Sequence, residues 1–417
     1  MNHEAIDIEE DASLPADRRV RRRRVIYLHG FDPARSERYR RLIERAGRDR
    51  GETPPEFTPV GPISEISEGW RIRATDEGRI VETVFEILRY DDVVRHWRRR
   101  APLVRIWTGL GSWGRFMFGG GWLRCLRFAK GPAALVFHPV LMLLSFVLLG
   151  VGFGRLVGEA MEAYLAAPGW TSQASRAVGA VLGFWVSLRL ERTFFAHLML
   201  ALFDFLIRLA EDKTPTGRVE SRIDAFADRL VECVADAEEA KVDEILIVGH
   251  SLGGYMAVRT LARALERDVD LAGGRPAVSL LTLGSVGGYV ACRGGDGAEN
   301  YAADVGAVAS DPDIAWVDVS APRDWFSFGL VDPLLMTPAP PAAARSPLVI
   351  SAKFGRFKAD PDDRRTRFRA MGLHMKYLAA PDRKGGFDFF RVVAGRRSLS
   401  GFFAGRRDSP KARMRDR

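Results

Sequence analysis

"ILIVGHSLGGYMA" occupies residues 245–257. Its first four residues are an apolar, branched run of the kind that fills a buried strand, and from Tyr255 onward "YMAVRTLARALER" carries apolar side chains at helical spacing. Between the two the chain turns within six residues, Gly249-His250-Ser251-Leu252-Gly253-Gly254. A strand that runs straight into such a turn and then into a helix is a nucleophile elbow. The serine at its apex is held in a strained conformation, and Gly249 and Gly253 omit side chains that would collide with the neighbouring strand and helix. GxSxG alone recurs by chance in a chain with 41 glycines. The longer GHSLGG form in its strand-to-helix context carries the reading.

Working outward, "VIYLHGF" (25–31) is a β-rich run closed by a glycine turn, and "ARSERYRRLIERAG" after it has helical spacing. Residues 70–90 predict a hairpin with its turn at "TDEG". Downstream, a helix near 217–240, the strand "EILIVG", a helix over 254–267, the strands "AVSLLTLG" and "IAWVDVS", and a helix beginning near His374 restore the alternation. Strands alternating with helices predict an α/β fold with a mainly parallel sheet covered on both faces. Residues 97–213 break the pattern and read as an insertion. At 417 residues the chain is long for one core. It divides into a disordered charged arm (1–24), the first part of the α/β domain (25–96), a membrane insertion (97–213), the second part with the catalytic residues (214–404) and a disordered basic tail (405–417). Cys125, Cys233 and Cys292 are far apart and lack CxxC spacing, so neither a disulfide framework nor a zinc site is expected. The first residues are polar and lack an apolar h-region, so no cleaved signal peptide is expected.

The GHSLGG elbow resembles that of the α/β-hydrolase superfamily, most closely its lipase and esterase members, and the resemblance covers roughly residues 25–96 and 214–380. That family orders its triad as nucleophile, acid, histidine. His374 is the one histidine of the seven that follows Ser251, so the resemblance implies that it takes the serine proton and returns it to the leaving group. The acid is expected past a strand between the two, where "IAWVDVSAPRDWFSFGLVDPL" supplies Asp318, Asp324 and Asp332. Asp324 is preferred: Asp318 lies within the strand and is read as pointing outward, and Asp332 before a proline reads as a turn residue. Asp332 stays open as the second choice. The oxyanion hole maps to the backbone N–H groups of Leu252 and Phe31, with His29 and Gly30 shaping the loop. No metal and no organic cofactor are implied.

Between Lys130 and Arg155 about 24 residues carry no formal charge, enough for a helix to cross a hydrocarbon core of about 30 Å. The second apolar stretch, 177–188, is shorter and is followed by Arg189, Glu191 and Arg192. These two predict a helical hairpin whose second helix emerges near Arg189, followed by an amphipathic segment on the membrane surface. The alternative is a buried helical cap over the hydrolase. Gly150, Gly154 and Gly158, and Ser175, Gly179 and Gly183, recur every four residues and permit close helix approach, within a hairpin or in a homodimer. Trp97, Trp107, Trp113 and Trp122 alternate with arginines, a pattern read as an interfacial belt rather than as an RNA surface. Arginines on both flanks and none in the connection place both flanks inside. The net charge of +9, with runs at 21–24 and 98–100, suits an anionic leaflet; no nucleic acid is expected as partner.

The sequence therefore predicts a membrane-bound serine hydrolase that cleaves lipophilic carboxylic esters or thioesters, in a bacterial inner membrane with its catalytic face in the cytoplasm. Its partners are the lipid bilayer and a lipophilic ester substrate. An acyltransferase using the same triad and a catalytically silent membrane scaffold are the rival readings.

Overall fold

The computed structural model of the protein describes residues 19–32, 36–48, 53–166, 168–189, 196–213, 216–338, 341–345, 347–355, 369–383, 385–409 and 412. Its centre is a mixed, mostly parallel sheet. The strands are β1 (Arg22–Leu28), β2 (Glu56–Phe57), β3 (Gly61–Ser64), β4 (Ser67–Asp76), β5 (Arg79–Leu88), β6 (Glu244–His250), β7 (Ala277–Leu283), β8 (Ala315–Ser320) and β9 (Leu348–Ser351). They lie in the order β2-β4-β5-β1-β6-β7-β8-β9, with β3 paired to β4. From β5 to β9 neighbours are parallel; β4 is antiparallel to β5, β2 and β3. The β4–β5 turn falls at the expected place: Glu77 (φ 50°) and Gly78 (φ 76°) both take the left-handed conformation that a two-residue hairpin needs.

The first strand begins at Arg22, inside the stretch expected to be a disordered arm. Arg23 is fully buried: its Nε donates to Glu244 Oε2 at 2.6 Å and its other nitrogens to the carbonyls of Gly395 and Arg397. A buried, fully bonded arginine is part of the sheet, not of a lipid-binding patch. At the other end Asp408 and Ser409, expected in a disordered tail, bond the backbone of Val349 and Ser351 on β9.

After α1 (Ser36–Arg48), the inserted region is helical throughout its described residues: α2 (Asp91–Arg98), α3 (Pro102–Phe118), α4 (Gly121–Phe128), α5 (Lys130–Leu135), α6 (His138–Leu165), α7 (Trp170–Arg189) and α8 (Ala196–Ala210). Residues 190–195, which include Glu191 and Arg192, lie outside the described residues. The antiparallel α6–α7 hairpin forms on the small residues. The backbone of Gly150 abuts Gly179, Gly154 abuts Ser175, and Gly158 abuts Ser172, so closely that a Cβ at any of these glycines would strike the partner helix. The faces open to hairpin or dimer packing thus meet each other within the chain. The outer face is apolar and exposed, with Leu148, Leu149, Phe153, Leu156, Val181 and Leu182 in the open. Among the described residues, one helical stretch, Lys130–Leu165, is long and apolar enough to cross a membrane.

The structure corrects two further expectations. α8 is a buried core helix, not an amphipathic surface segment: Leu200, Phe205 and Ile207 are inaccessible to solvent. Its charges face inward because they are satisfied there. Asp204 accepts from Ser112 Oγ at 2.6 Å and Arg208 Nε at 2.8 Å, with Arg100 at 3.3 Å. The tryptophan belt also dissolves. Trp97 is buried under the Arg100 guanidinium, 3.4 Å from its ring centroid, and Trp113 and Trp122 donate to the carbonyls of Val136 and Ala133. Of the four, Trp107 alone is exposed, at 81%.

Downstream come α9 (Thr216–Ala235), α10 (Leu252–Arg267), α11 (Gly287–Arg293), α12 (Asp296–Ser310), α13 (Arg369–Met375), α14 (Phe389–Ala394) and α15 (Leu399–Phe402). β6 is buried along its length, and its residues alternate between two cores. Ile245 and Ile247 pack with α8 to α12, and Leu246 and Val248 pack with α1, α14 and α15. Helices on both faces of a parallel strand leave its C-terminal end as the place where loops gather.

Candidate active site

That end of β6 is the elbow. Ser251 has φ 61° and ψ −119°, a conformation that side-chain-bearing residues rarely adopt. Three backbone bonds hold it: Ser251 N–H donates to the Leu283 carbonyl at 2.9 Å, and Gly254 and Val286 donate to the Ser251 carbonyl at 3.0 and 3.3 Å. The flanking glycines are required by space. A Cβ at Gly249 would run into the Gly253 carbonyl, and one at Gly253 into the carbonyls of Leu28 and His29 at the end of β1.

His374 reaches the elbow from α13, which ends at Met375 rather than beginning near His374 as the sequence suggested. Its Nδ1 donates to Asp324 Oδ2 at 2.9 Å. Its Nε2 is buried and has no hydrogen-bond partner among the described residues, and the ring lines the same cleft as Ser251. Asp324 sits four residues past β8, where Phe326 N–H and Tyr377 Oη also donate to it, each at 3.0 Å. Burial acts to raise the Asp324 carboxyl, but His374, with the hydrogen bonds from Phe326 N–H and the Ser327 hydroxyl, prevails and holds it below the usual carboxylate range.

The other two aspartates are engaged elsewhere. Asp332 caps a 3₁₀ turn, accepting from Leu334 N–H at 2.9 Å. Asp318 points inward, contrary to expectation: it is buried, accepts from Thr282 Oγ1 at 2.7 Å, and desolvation pushes its carboxyl up to about 7.

Leu252 is the first residue of α10, where backbone N–H groups have no intrahelical acceptor. Phe31 follows Gly30, and a Cβ on Gly30 would sit 3.0 Å from that of Ser251, so the β1 loop lies directly against the serine. His29 shapes that loop: its Nδ1 donates to the Gly30 carbonyl at 2.7 Å, its ring stacks on Tyr90 at 4.3 Å, and Tyr90 Oη donates to its carbonyl.

Two features were not read from the sequence, and a third corresponds to the buried helical cap kept there as the alternative. His250, next to the serine, donates from Nε2 to the His374 carbonyl at 2.9 Å, with ring centroids 5.1 Å apart. Burial, then the His374 charge, lowers its imidazole to about 3. Its place in the motif was the only signal. Tyr377, one turn past His374, bonds the acid and had no sequence signal. The third is the contribution of α8, whose Leu198, Met199 and Leu202 line the cleft with Ser251, Met199 packing against Phe326, Leu198 and Met371.

The arrangement supplies an activatable hydroxyl, an imidazole oriented by a buried carboxylate, and an apolar wall. Comparison with models of protein families, with curated proteins and with solved structures returned no match.

Proposed function

We propose that the protein is a membrane-bound serine hydrolase with an α/β-hydrolase fold, acting on lipophilic carboxylic esters or thioesters through an acyl-enzyme. One observation carries the reading: His374, its Nδ1 fixed by Asp324 and its buried Nε2 without a partner among the described residues, lines the cleft where Ser251 stands on a strained elbow.

In the first half-reaction Ser251 Oγ attacks the ester carbonyl and its proton passes to His374 Nε2. The oxygen takes up the electron pair of the C=O π bond and is met by the N–H groups of Leu252 and Phe31. Collapse expels the alcohol or thiol, which leaves with the proton from His374. Water then repeats the sequence on the acyl-serine and releases the acid. Asp324 holds the imidazole tautomer and stabilises its charged form. Tyr377 and Phe326 N–H keep the carboxylate in place.

The α6–α7 hairpin is the membrane element in this reading. Its helices of 28 and 20 residues are about 42 and 30 Å long, and ahead of the exposed Arg155–Glu159 pair α6 presents Leu141, Leu144, Leu148, Leu149 and Phe153, an apolar surface suited to lipid. With Arg124, Arg127 and Lys130 preceding the hairpin in sequence and Arg189 at its end, the positive-inside rule sets the catalytic face in the cytoplasm.

The test is labelling of full-length protein in membranes by a fluorophosphonate probe. Labelling of wild type that disappears in Ser251→Ala, with the variant still folded and membrane-bound, supports the reading. An inert serine in folded wild-type protein leaves a silent membrane scaffold as the better description.

A further inference from the structure

α3 is apolar on two opposite faces. Toward the core, Ile106 packs with Leu143 of α6 and Leu200 of α8, and Gly109 lets the Leu200 backbone come close. Away from it, Leu103, Trp107, Gly111, Gly114 and Phe118 recur every three or four residues and so share one side of the helix, with Val104 beside them. The large side chains of this stripe are exposed, Phe118 at 90%, and a Cβ on Gly114 would meet nothing. Of the two charged residues of α3, Arg105 is buried and Arg115 turns to Glu211 and Ser112. A helix apolar all round is ordinarily buried all round, yet among the described residues α3 is covered on one side only.

Two observations say what covers the other side. α3 stands at the foot of the stretch long and apolar enough to cross a membrane: Trp113 donates to the Val136 carbonyl at 3.1 Å and meets the Phe137 ring edge-on, just ahead of α6. The surrounding charge is of one sign as well. Between Asp92 and Glu159 the sequence holds no Asp or Glu, and Arg99 before α3 and Lys130 after α4 are exposed. An apolar face within a purely cationic stretch fits an anionic leaflet, whereas a second copy of the chain would bring the same cations against it.

We infer that α3 is a second membrane contact, its Leu103, Val104, Trp107 and Phe118 covered by lipid of the leaflet at the hairpin's foot. This rests on the membrane reading of the hairpin and adds a contact outside it.

The test sets single nitroxide labels at Trp107→Cys, Phe118→Cys, Leu148→Cys and Val269→Cys of the full-length protein, in nanodiscs of phosphatidylethanolamine and phosphatidylglycerol. It reads the collisions of each label with dissolved oxygen and with a polar nickel chelate. All four positions are exposed and the native cysteines are buried; an unchanged thermal midpoint shows that each variant is folded. Oxygen concentrates in hydrocarbon and the chelate is excluded from it, so the oxygen-to-nickel ratio at Trp107→Cys and Phe118→Cys should exceed that at Val269→Cys at least about tenfold. Ratios equal to that of Val269→Cys, with Leu148→Cys in lipid, overturn the inference and leave the hairpin reading intact. Scarce collisions with both reagents mean that protein covers the stripe, and they overturn it too. A water-like ratio at Leu148→Cys refutes the membrane reading itself and takes the inference with it.

Discussion

Ser251 and His374 were legible because each is constrained from two sides, the serine by glycines that only a tight turn requires and the histidine by being the single one that follows. Asp324 was separable from Asp332 only in part, since both lie in turns past β8. Each accepts from the N–H two residues on; what sets them apart is that the second oxygen of Asp324 meets the imidazole. His250 makes a prediction of its own. In the fold it stays neutral down to about pH 3, whereas in the unfolded chain it binds a proton near 6.5. Above about pH 6.5 neither state holds that proton and stability is at its full value. As pH falls from 6.5 toward 3 the unfolded state alone takes it up, so stability drains at up to about 1.4 kcal/mol per pH unit. Thermal midpoints of wild type and His250→Gln across this window should show the shallower acid-side slope in the variant. Parallel curves would mean that the imidazole is not held neutral.

At the scale of elements, the sheet was readable because β6 and β1 are apolar runs bounded by turns, and the hairpin because glycines recur at one helical face. α8 was misread for a physical reason. Asp204 and Arg208 look like a solvent-facing stripe, yet a buried carboxylate with three donors costs little, and sequence spacing does not show that Ser112 and Arg100 would supply two of them. The short strands β2 and β9 fell below any periodicity. The hairpin packing has a direct test. Gly154→Val places a branched side chain against the Ser175 backbone, which cannot give way. The variant should lose about 1–3 kcal/mol of stability in nanodiscs. Ser251 labelling should persist, because no residue of α6 or α7 lines the cleft. Loss of labelling at an unchanged melting point would mean that the hairpin governs the site rather than merely holding it.

For the whole molecule, the sidedness inferred from charge is open to measurement. The three cysteines are buried, so a single Gly169→Cys substitution, in the turn between α6 and α7, introduces one accessible thiol. A membrane-impermeant maleimide added to intact cells should label it, while labelling only after lysis would invert the topology. The hairpin also stands between β1 and β6, the two strands whose pairing forms the middle of the sheet, and Arg23 meets Glu244 across 221 positions of sequence. During synthesis the hairpin leaves the ribosome before β6 exists, so β1 waits with an open edge while α6 and α7 are already complete. In the proposed setting anchoring precedes folding, and the catalytic half is assembled at the bilayer surface from its first moment. In that setting a chain that failed to insert would hold an unpaired strand and a leucine-rich hairpin in water together, and insertion would be a condition of its solubility as well as of its address.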